Sequence, residues 1–434
     1  MTNSGVKSRT VIIGIDGVPF RLMDTLSKEG VLPNFAELRK DGVFRKMASS
    51  IPEISSVSWS SIITGKNPGE HGIYGFTDII PDTYDLAFPN FSDLKSPAFW
   101  QFGNTDDKKY VIINVPSTYP AQEINGFLVS GFVAIDLEKA TYPKSYLPEL
   151  TKMGYRIDVD SSKGHESKAL LLDDLFLVHE IRTRAIRKLW DDIDWDVFMI
   201  VFTGSDRIGH FLWDAYEDPN HEHHQRFLDY FSEIDKTIGE IASSLEEGDN
   251  LIMCSDHGME LTEHNINVNK ILKENGFLNL GNGPSLQYNN IIEGSRAFAM
   301  DPGRIYINRV GKYPRGSVQP GEDKQVIDEI IDLFMGLEIN GKKIIKTAYR
   351  KEEIYKGSQI GNAPDIILLS NKGFNLKASL SELFEPKPNA SKALTGKHSQ
   401  DDAFLFVKGN DNNVIVPQKP KVEDIVGILN KLNR

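Results

Sequence analysis

The stretch Pro52-Glu-Ile-Ser-Ser-Val-Ser-Trp-Ser-Ser-Ile-Ile-Thr-Gly-Lys-Asn-Pro-Gly-Glu-His-Gly-Ile73 is the most informative part of this 434-residue chain. Pro52 ends any strand that precedes it, and the serines that follow alternate with apolar residues. The pattern predicts a loop that runs into a short helix, with Thr64-Gly65 as its stop signal. A serine such as Ser55, in the first turn, lies beside free backbone N–H groups that favour an anion such as phosphate.

The amino-acid composition is typical of a globular protein. Hydrophobic residues make up 40% and charged residues 25%, as is typical of soluble proteins. The length allows two or three domains, or one large α/β domain with insertions. The formal net charge of −12 argues against binding of a nucleic-acid polymer, which needs a basic face.

Cysteine usage and hydropathy favour an intracellular enzyme. Cys254 is the single cysteine, so the chain has no intramolecular disulfide. The first ten residues contain no apolar signal segment, and no apolar run approaches the length of a membrane span. We therefore expect a cytoplasmic location and no membrane association, whereas the sequence gives no indication of the oligomeric state.

Acidic residues follow three β-rich apolar runs, at once or within a few residues. Asp16 comes directly after the run that starts at Thr10, Asp206 follows the run that ends at Phe202, and Asp256 follows the run that starts at Asn250. In a parallel sheet such residues collect at one edge, where open α/β sheets bind their ligands. For Asp16 alone, capping of the next helix explains the pattern equally well.

Histidines accompany these acids at metal-ligand spacing. His210 is four residues after Asp206, which places both on one face of a helix, and an exposed ion pair is the alternative interpretation. His257 follows Asp256 directly, and His398 is predicted in a glycine-containing loop before the last strand.

The remaining histidines are given other roles. His71 lies in a turn-rich segment and is interpreted as structural. The cluster of His221, His223 and His224 is interpreted as an exposed loop that does not bind a metal.

Three carboxylates and three imidazoles suit two zinc-like ions with open positions better than one closed structural site. Two ions about 4 Å apart can clamp the attacking and leaving oxygens of a displacement at phosphorus. Ser55 would then be the attacking group, its proton displaced by coordination to one ion. The six residues are Asp16, Asp206, His210, Asp256, His257 and His398.

These segments, taken in order, resemble the alkaline phosphatase superfamily, in particular its type I phosphodiesterase/nucleotide pyrophosphatase branch. Each segment alone is a weak signal, whereas five in the right order, spread over residues 10–407, are a strong one. The segments are Ile15-Asp16-Gly17, Ser55 through Thr64-Gly65-Lys66-Asn-Pro-Gly-Glu-His71-Gly-Ile73, Asp206 with Gly209-His210, Ser255-Asp256-His257-Gly258-Met259, and Gly396-Lys-His398.

The resemblance implies a three-layer α/β/α sandwich with a mostly parallel central sheet and a cap insertion. We expect residues 1–261 and 356–434 to form the phosphohydrolase core and residues 262–355 to form the insertion. Further cap material is expected near residues 78–101 and 138–165. Periodicity predicts long helices over residues 170–193 and 227–245 and a closing helix over residues 422–432.

The resemblance also implies two divalent metal ions, expected to be Zn²⁺ with Mn²⁺ as the alternative. One metal would be held by Asp206, His210 and His398, and the other by Asp16, Asp256 and His257 with Ser55 also coordinated. Ser55 would attack phosphorus and form a phosphoserine ester, which an activated water then releases with net retention at phosphorus. The expected substrate is a small-molecule phosphate ester.

The chain departs from the branch at its nucleophile. Threonine is usual there, whereas Ser55 stands in this sequence with Ser56 as a nearby competitor. The Ser58-Trp59 pair is closer to the prokaryotic phosphohydrolase/phosphomutase-like members.

Four alternatives to a phosphodiesterase are considered. A phosphomonoesterase, a cofactor-independent phosphoglycerate mutase-like phosphomutase and a non-catalytic binding protein on the same scaffold remain open. Sulfatase activity is disfavoured, because Ser55 is not followed by the Pro and Arg needed to make formylglycine.

Overall fold

A computed structural model describes residues 8–80, 82–101, 107–282, 287–380, 394–409 and 416–433. The chain divides into two compact units. The first unit comprises Met1–Lys66, Asn90–Glu260 and Ser391–Arg434, and the second comprises Asn67–Pro89 and Leu261–Ala390.

The strands of both units are numbered along the chain. They are β1 (Thr10–Ile15), β2 (Val43–Met47), β3 (Asp78–Ile79), β4 (Leu86–Ala87), β5 (Tyr110–Val115), β6 (Gly126–Ser130), β7 (Thr141–Tyr142), β8 (Val197–Phe202), β9 (Asn250–Cys254), β10 (Gly258–Leu261), β11 (His264–Asn267), β12 (Ala297–Met300), β13 (Arg304–Ile307), β14 (Glu338–Ile339), β15 (Lys342–Lys343), β16 (Ile345–Arg350), β17 (Ile366–Ser370), β18 (Phe374–Lys377), β19 (Gly396–Ser399) and β20 (Ala403–Lys408).

The helices are numbered in the same way. They are α1 (Phe20–Lys28), α2 (Pro33–Leu38), α3 (Ser55–Thr64), α4 (Pro68–His71), α5 (Leu137–Ala140), α6 (Leu147–Lys152), α7 (Ser162–Glu166), α8 (Lys168–Asp192), α9 (Gly204–Glu217), α10 (His224–Ser243), α11 (Val268–Glu274), α12 (Asp323–Gly336), α13 (Lys351–Ile354) and α14 (Asp424–Leu432). The three helices predicted from periodicity correspond to α8, α10 and α14. Among the described residues, no helix is both long and apolar enough to cross a lipid bilayer.

The first unit is built around a large sheet. Its described residues form eight strands in the order β2-β20-β9-β1-β8-β5-β6-β7. The neighbours β9, β1, β8, β5 and β6 run parallel, while β20 and β7 are antiparallel to the strands they pair with. The central strands consist of apolar, largely β-branched or aromatic residues because both faces of a parallel sheet are covered.

Helices cover both faces of this sheet. On one face, Ile12 and Met199 join a buried cluster with Trp59 of α3 and Ile425 of α14. On the other face, the ring of Phe35 in α2 packs edge-on against Phe406 with centroids 5.7 Å apart. Because successive side chains of a strand alternate between faces, each of these strands contributes to both cores. The predicted α/β fold with a mostly parallel central sheet is therefore confirmed.

The strands β9, β1 and β8 are adjacent and end at the same edge. Their register pairs Ile15 with Phe202 and Gly14 with Cys254. The residues that immediately follow the three strands are thus brought together, as expected for the carboxyl edge of a parallel sheet.

The second unit has its own sheet and its own core. Its described strands β12, β13, β17 and β16 pair in that order, all antiparallel. Helix α12 contributes Ile330 and Phe334 to a buried cluster with residues of these strands, such as Phe298.

The bounds of the second unit differ from those of the predicted insertion. The unit extends past residue 355 and includes β17, and it also takes up residues 67–89. Residues 90–101 and 138–165, predicted as cap material, lie in the first unit. The apolar run at residues 363–369 falls within the predicted core, because composition alone does not distinguish central strands of different sheets.

Acid will destabilise the first unit in part through His179 of α8. Burial, together with Arg182, lowers the pKa of this imidazole from 6.5 to about 4. The unfolded chain therefore binds the proton first. The contribution of His179 is complete above pH 6.5 and is lost as the pH falls towards 4, amounting to about 2 kcal/mol between pH 7 and pH 5. Urea unfolding at both pH values should show a smaller pH dependence for His179→Gln than for the wild type. An equal dependence would contradict this assignment.

Candidate metal centre and nucleophile

Asp16 lies at the carboxyl end of the central strand β1 and is buried. Its Oδ2 accepts a hydrogen bond from Trp59 Nε1 at 3.0 Å, and its carbonyl accepts one from Ser205 Oγ at 2.7 Å. The next residue, Gly17, has a φ of 70°, and a Cβ there would lie 2.8 Å from Asp206 Oδ1. Glycine at this position therefore allows the Asp206 carboxylate to approach Asp16.

Ser55 is the first residue of helix α3, as the sequence predicted. Its buried hydroxyl lies 3.1 Å from His257 Nε2 and 3.4 Å from Asp16 Oδ1. Among the described residues, no acceptor is found for the Ser55 backbone N–H, as is expected in the first turn of a helix. The nucleophile candidate is thus placed next to both a carboxylate and an imidazole.

Asp206 and His210 lie on one face of helix α9, with His210 Nε2 3.3 Å from Asp206 Oδ1. Asp206 lies near the carboxyl edge of the sheet, because α9 begins two residues after β8 ends. A Cβ on Gly396 would lie 2.2 Å from Gly209 O, so glycine there lets the strand β19 approach this helix closely.

His398 lies on β19, which pairs with β10 directly after His257. The prediction that His398 lies in a loop is wrong. This strand is only four residues long and mostly polar, so it carries no apolar alternation that would reveal it. Pairing with β10 brings His398 to the carboxyl edge of the sheet, where its ring stacks on His257 with centroids 3.6 Å apart.

A main-chain carbonyl faces Nδ1 of each of the three imidazoles. His210 Nδ1 lies 3.0 Å from Gly396 O, His257 Nδ1 lies 3.0 Å from Gly258 O, and His398 Nδ1 lies 2.7 Å from Glu53 O. A carbonyl can only accept, so each Nδ1 carries the proton and each Nε2 presents a lone pair. This is the usual arrangement for a metal-ligating histidine.

The Nε2 lone pairs converge on one point. His210 Nε2 and His398 Nε2 lie 2.9 Å apart, and Asp206 Oδ1 lies 3.4 Å from His398 Nε2. Within the described part of the chain, Asp206 Oδ1 and Asp256 Oδ2 are buried without a hydrogen-bond donor. Acceptors facing acceptors in a buried site are costly unless a cation lies between them. The donor set therefore fits a divalent metal.

The electrostatics agree with this interpretation. Burial raises the pKa of Asp16, and the carboxylates of Asp256 and Asp206 raise it further. Burial raises the pKa of Asp256 to about 7. Burial also raises the pKa of Asp206, whereas the positively charged Arg207 beside it lowers it. Burial, helped by His257, lowers the pKa of His398 to about 3.

The ligand atoms fall into two clusters, each with its atoms within 4.8 Å of one another. Asp206 belongs to both: one contains Asp206, His210 and His398, and the other contains Asp16, Asp206 and His257. Among the described residues, Asp256 stands outside both clusters, although its Oδ2 lies 3.2 Å from His257 Nε2. Its Oδ1 accepts a hydrogen bond from Gly17 N at 3.0 Å.

Three contributors to the site were not identified from the sequence. Trp59 fixes Asp16, Ser205 holds the Asp16 carbonyl, and Arg207 donates to Asp206 Oδ2 at 3.3 Å. Trp59 lies one helical turn after Ser55, and Ser205 directly precedes Asp206. This closeness in sequence to predicted site residues is the signal by which they could have been found. Their role depends on tertiary contacts.

The histidines for which the sequence predicted other roles include His71, His221 and His223. His71 is buried in α4 of the second unit, and burial lowers its pKa to about 3. His221 and His223 were predicted to be exposed, but their side chains are only 27% and 15% accessible, because the turn packs at the start of α10. In the described ranges, none of the three belongs to a candidate metal cluster.

Comparison with known proteins supports the interpretation of the motifs. A model of the family described as type I phosphodiesterase / nucleotide pyrophosphatase matches residues 10–401, whereas no curated protein matches the chain by sequence. Phosphonoacetate hydrolase from Sinorhizobium meliloti 1021 superposes with a TM-score of 0.65 at 16% identity, covering 99% of this chain and 96% of that one. Murine ectonucleotide pyrophosphatase / phosphodiesterase 5 superposes with a TM-score of 0.58 at 14% identity, covering 98% and 95%. At these identities the likeness concerns the fold.

Asp256→Asn should separate stability from metal binding. In the presence of a chelator, we expect the variant to be more stable than the wild type by about 0.5–2 kcal/mol, since it removes one of several mutually repelling buried charges. Zinc at a concentration 100-fold above Kd should stabilise the wild type by about 2.7 kcal/mol for each ion bound, and the variant by much less. Thermal unfolding with and without zinc measures both effects. A wild type that zinc does not stabilise would contradict the metal centre.

Proposed function

The chain belongs to the type I phosphodiesterase / nucleotide pyrophosphatase family and is a hydrolase of phosphoric ester bonds, and on that premise we propose that it cleaves a small-molecule phosphodiester with two divalent metal ions and Ser55 as nucleophile. The observation that supports the proposal most is the common orientation of three imidazoles. Each has Nδ1 against a main-chain carbonyl. Nε2 of His210 and of His398 faces Asp206 Oδ1, and His257 Nε2 lies 3.2 Å from Asp256 Oδ2 and 3.1 Å from Ser55 Oγ.

In this proposal Asp206, His210 and His398 hold one ion, while Asp16, Asp256, His257 and Ser55 hold the other. Nitrogen and carboxylate donors suit Zn²⁺, and Mn²⁺ is the alternative. When bound, such ions stabilise negative charge on phosphoryl oxygens and lower the pKa of a coordinated hydroxyl group. The position of Asp206 in both clusters supports close spacing of the two sites.

Ser55 is placed to act as the nucleophile. Its Oγ attacks phosphorus, a new O–P bond forms, and the bond to the leaving oxygen breaks. The Ser55 proton is lost to solvent, and the leaving alkoxide takes up a proton. Water then attacks the phosphoserine ester from the opposite side and restores the hydroxyl, so that two inversions give net retention. The free N–H groups in the first turn of α3 favour the phosphoryl group at this place.

Loop residues before α3 keep the nucleophile in position. Ser49 Oγ donates to Asp256 O at 2.6 Å, and Ser50 and Ser58 share a hydrogen bond at 2.7 Å. The segment between them carries Glu53, whose carbonyl orients His398. The serines of the loop thus act as structural groups, which distinguishes them from Ser55.

Ser55→Ala should lose activity by on the order of 1000-fold or more, because it removes the hydroxyl that lies against the Asp16 and His257 side chains. Hydrolysis of bis-p-nitrophenyl phosphate and of p-nitrophenyl phosphate, each with Zn²⁺ or Mn²⁺, is the measurement. The diester is expected to be the better substrate. Ser56→Ala is the matched control, since Ser56 Oγ is buried and, among the described residues, has no hydrogen-bond partner. Its rate should stay near that of the wild type.

Three outcomes would revise the proposal. Full activity in Ser55→Ala with loss in Ser56→Ala would move the nucleophile by one residue. A preference for the monoester would identify a phosphomonoesterase. Absence of activity on either ester in a metal-loaded protein would count against hydrolysis altogether and in favour of a binding role.

A further inference from the structure

We propose that Arg207, held by Asp158, is a positioning residue that selects which oxygen of Asp206 faces the metal centre. The inference rests on the proposed function, because it takes Asp206 to be a metal ligand. It concerns a side chain that contacts a candidate ligand without belonging to either cluster of candidate ligands.

The guanidinium of Arg207 links two carboxylates. Its Nη1 donates to Asp206 Oδ2 at 3.3 Å. Its Nε and Nη2 both donate to Asp158 Oδ2, at 3.1 and 2.7 Å. The flat face of the group lies over the ring of Phe132, with 4.1 Å between the guanidinium carbon and the ring centroid. Hydrogen bonds in its plane and an aromatic ring against its face leave the guanidinium little freedom to rotate.

The two oxygens of the Asp206 carboxylate have different partners. Oδ2 is engaged by Arg207, whereas Oδ1 is the oxygen that lies 3.3 Å from His210 Nε2 and 3.4 Å from His398 Nε2. A carboxylate bonded through one oxygen presents the other in a fixed direction. Arg207 also places a positive charge beside a carboxylate that is buried close to those of Asp16 and Asp256.

Asp158 is itself fixed from both sides. Its Oδ1 accepts a hydrogen bond from Thr203 Oγ1 at 3.3 Å. The chain before and after it is tied to the buried Asp174 of α8, by Arg156 at 2.7 Å and by Lys163 at 2.5 Å. The segment 156–163 therefore holds Asp158 against the start of α9, and Asp158 in turn holds Arg207.

The planar fork of arginine is required for this role. A lysine ammonium is a point charge that can reach one carboxylate but cannot span both and lie flat on Phe132. A direct contact with substrate is the competing role for Arg207. Its side chain is only 15% accessible, and three of its N–H groups point at carboxylates, so the positioning role is the one the contacts favour.

Zinc affinity, measured by competition with a chromogenic chelator, tests the proposal without relying on catalysis. Arg207→Met should weaken one of the two zinc sites by 10- to 100-fold, with a smaller loss in Arg207→Lys and in Asp158→Asn. In hydrolysis assays at saturating zinc, kcat should fall while KM for the ester stays close to the wild-type value.

Arg9→Met is the matched control. It removes a comparable ion pair, with Arg9 Nη2 2.6 Å from Asp249 Oδ2, at the opposite edge of the same sheet. It should lower the free energy of unfolding but leave both zinc affinities unchanged.

Each remaining outcome decides between the roles. Unchanged zinc affinity in Arg207→Met, or a raised KM with unchanged zinc affinity, overturns the positioning role, the latter in favour of substrate binding. A wild type that binds two zinc ions but hydrolyses no ester refutes the proposed function alone, and the affinity comparison still stands. A wild type that binds no zinc refutes both.

Discussion

Three carboxylates from the ends of neighbouring parallel strands are buried in one small volume, and this constraint shapes the rest of the first unit. Asp16, Asp206 and Asp256 follow β1, β8 and β9, which are adjacent in the sheet. Buried like charges repel and lose hydration, so the fold tolerates them only where positive charge is close. The three imidazoles are neutral and present Nε2 lone pairs to the carboxylates, so they add no positive charge. The positive charge therefore comes from Arg207 and, in our proposal, from two metal ions.

The serines in and around the loop before α3 have two different roles. Ser55 presents a hydroxyl to the site, whereas Ser49, Ser50 and Ser58 bond to one another and to the main chain in the interior. Small hydroxyl groups suit both uses, because they satisfy buried polar groups without occupying much volume. The rigid loop that results carries a nucleophile candidate at one end and the carbonyl that orients His398 within it.

Much of the first unit could be predicted because its signals are local. Apolar runs ending in acids located the carboxyl edge, and the spacing of Asp206 and His210 located a helical face. What depended on tertiary contacts could not be predicted: the short polar strand of His398, the hydrogen bond from Trp59 to Asp16 and the pairing of Arg207 with two acids. The bounds of the second unit differ from those of the predicted insertion for a related reason, since the composition of Ile366–Ser370 suits a core strand of either sheet.

The orientation of the three imidazoles depends on main-chain carbonyls at Glu53, Gly258 and Gly396 rather than on neighbouring side chains. A carbonyl is supplied by every amino acid, so sequence drift at these positions does not remove the acceptor as long as the backbone keeps its path. Selection is then directed at the residues that set this path, such as Gly396, whose missing Cβ permits the approach of β19 to α9. The geometry of the centre is in this sense inherited with the fold, and of the three carbonyl positions Glu53 has the most latitude, since a Cβ at Gly258 or Gly396 would lie 2.4 Å from Ser399 Oγ or 2.2 Å from Gly209 O.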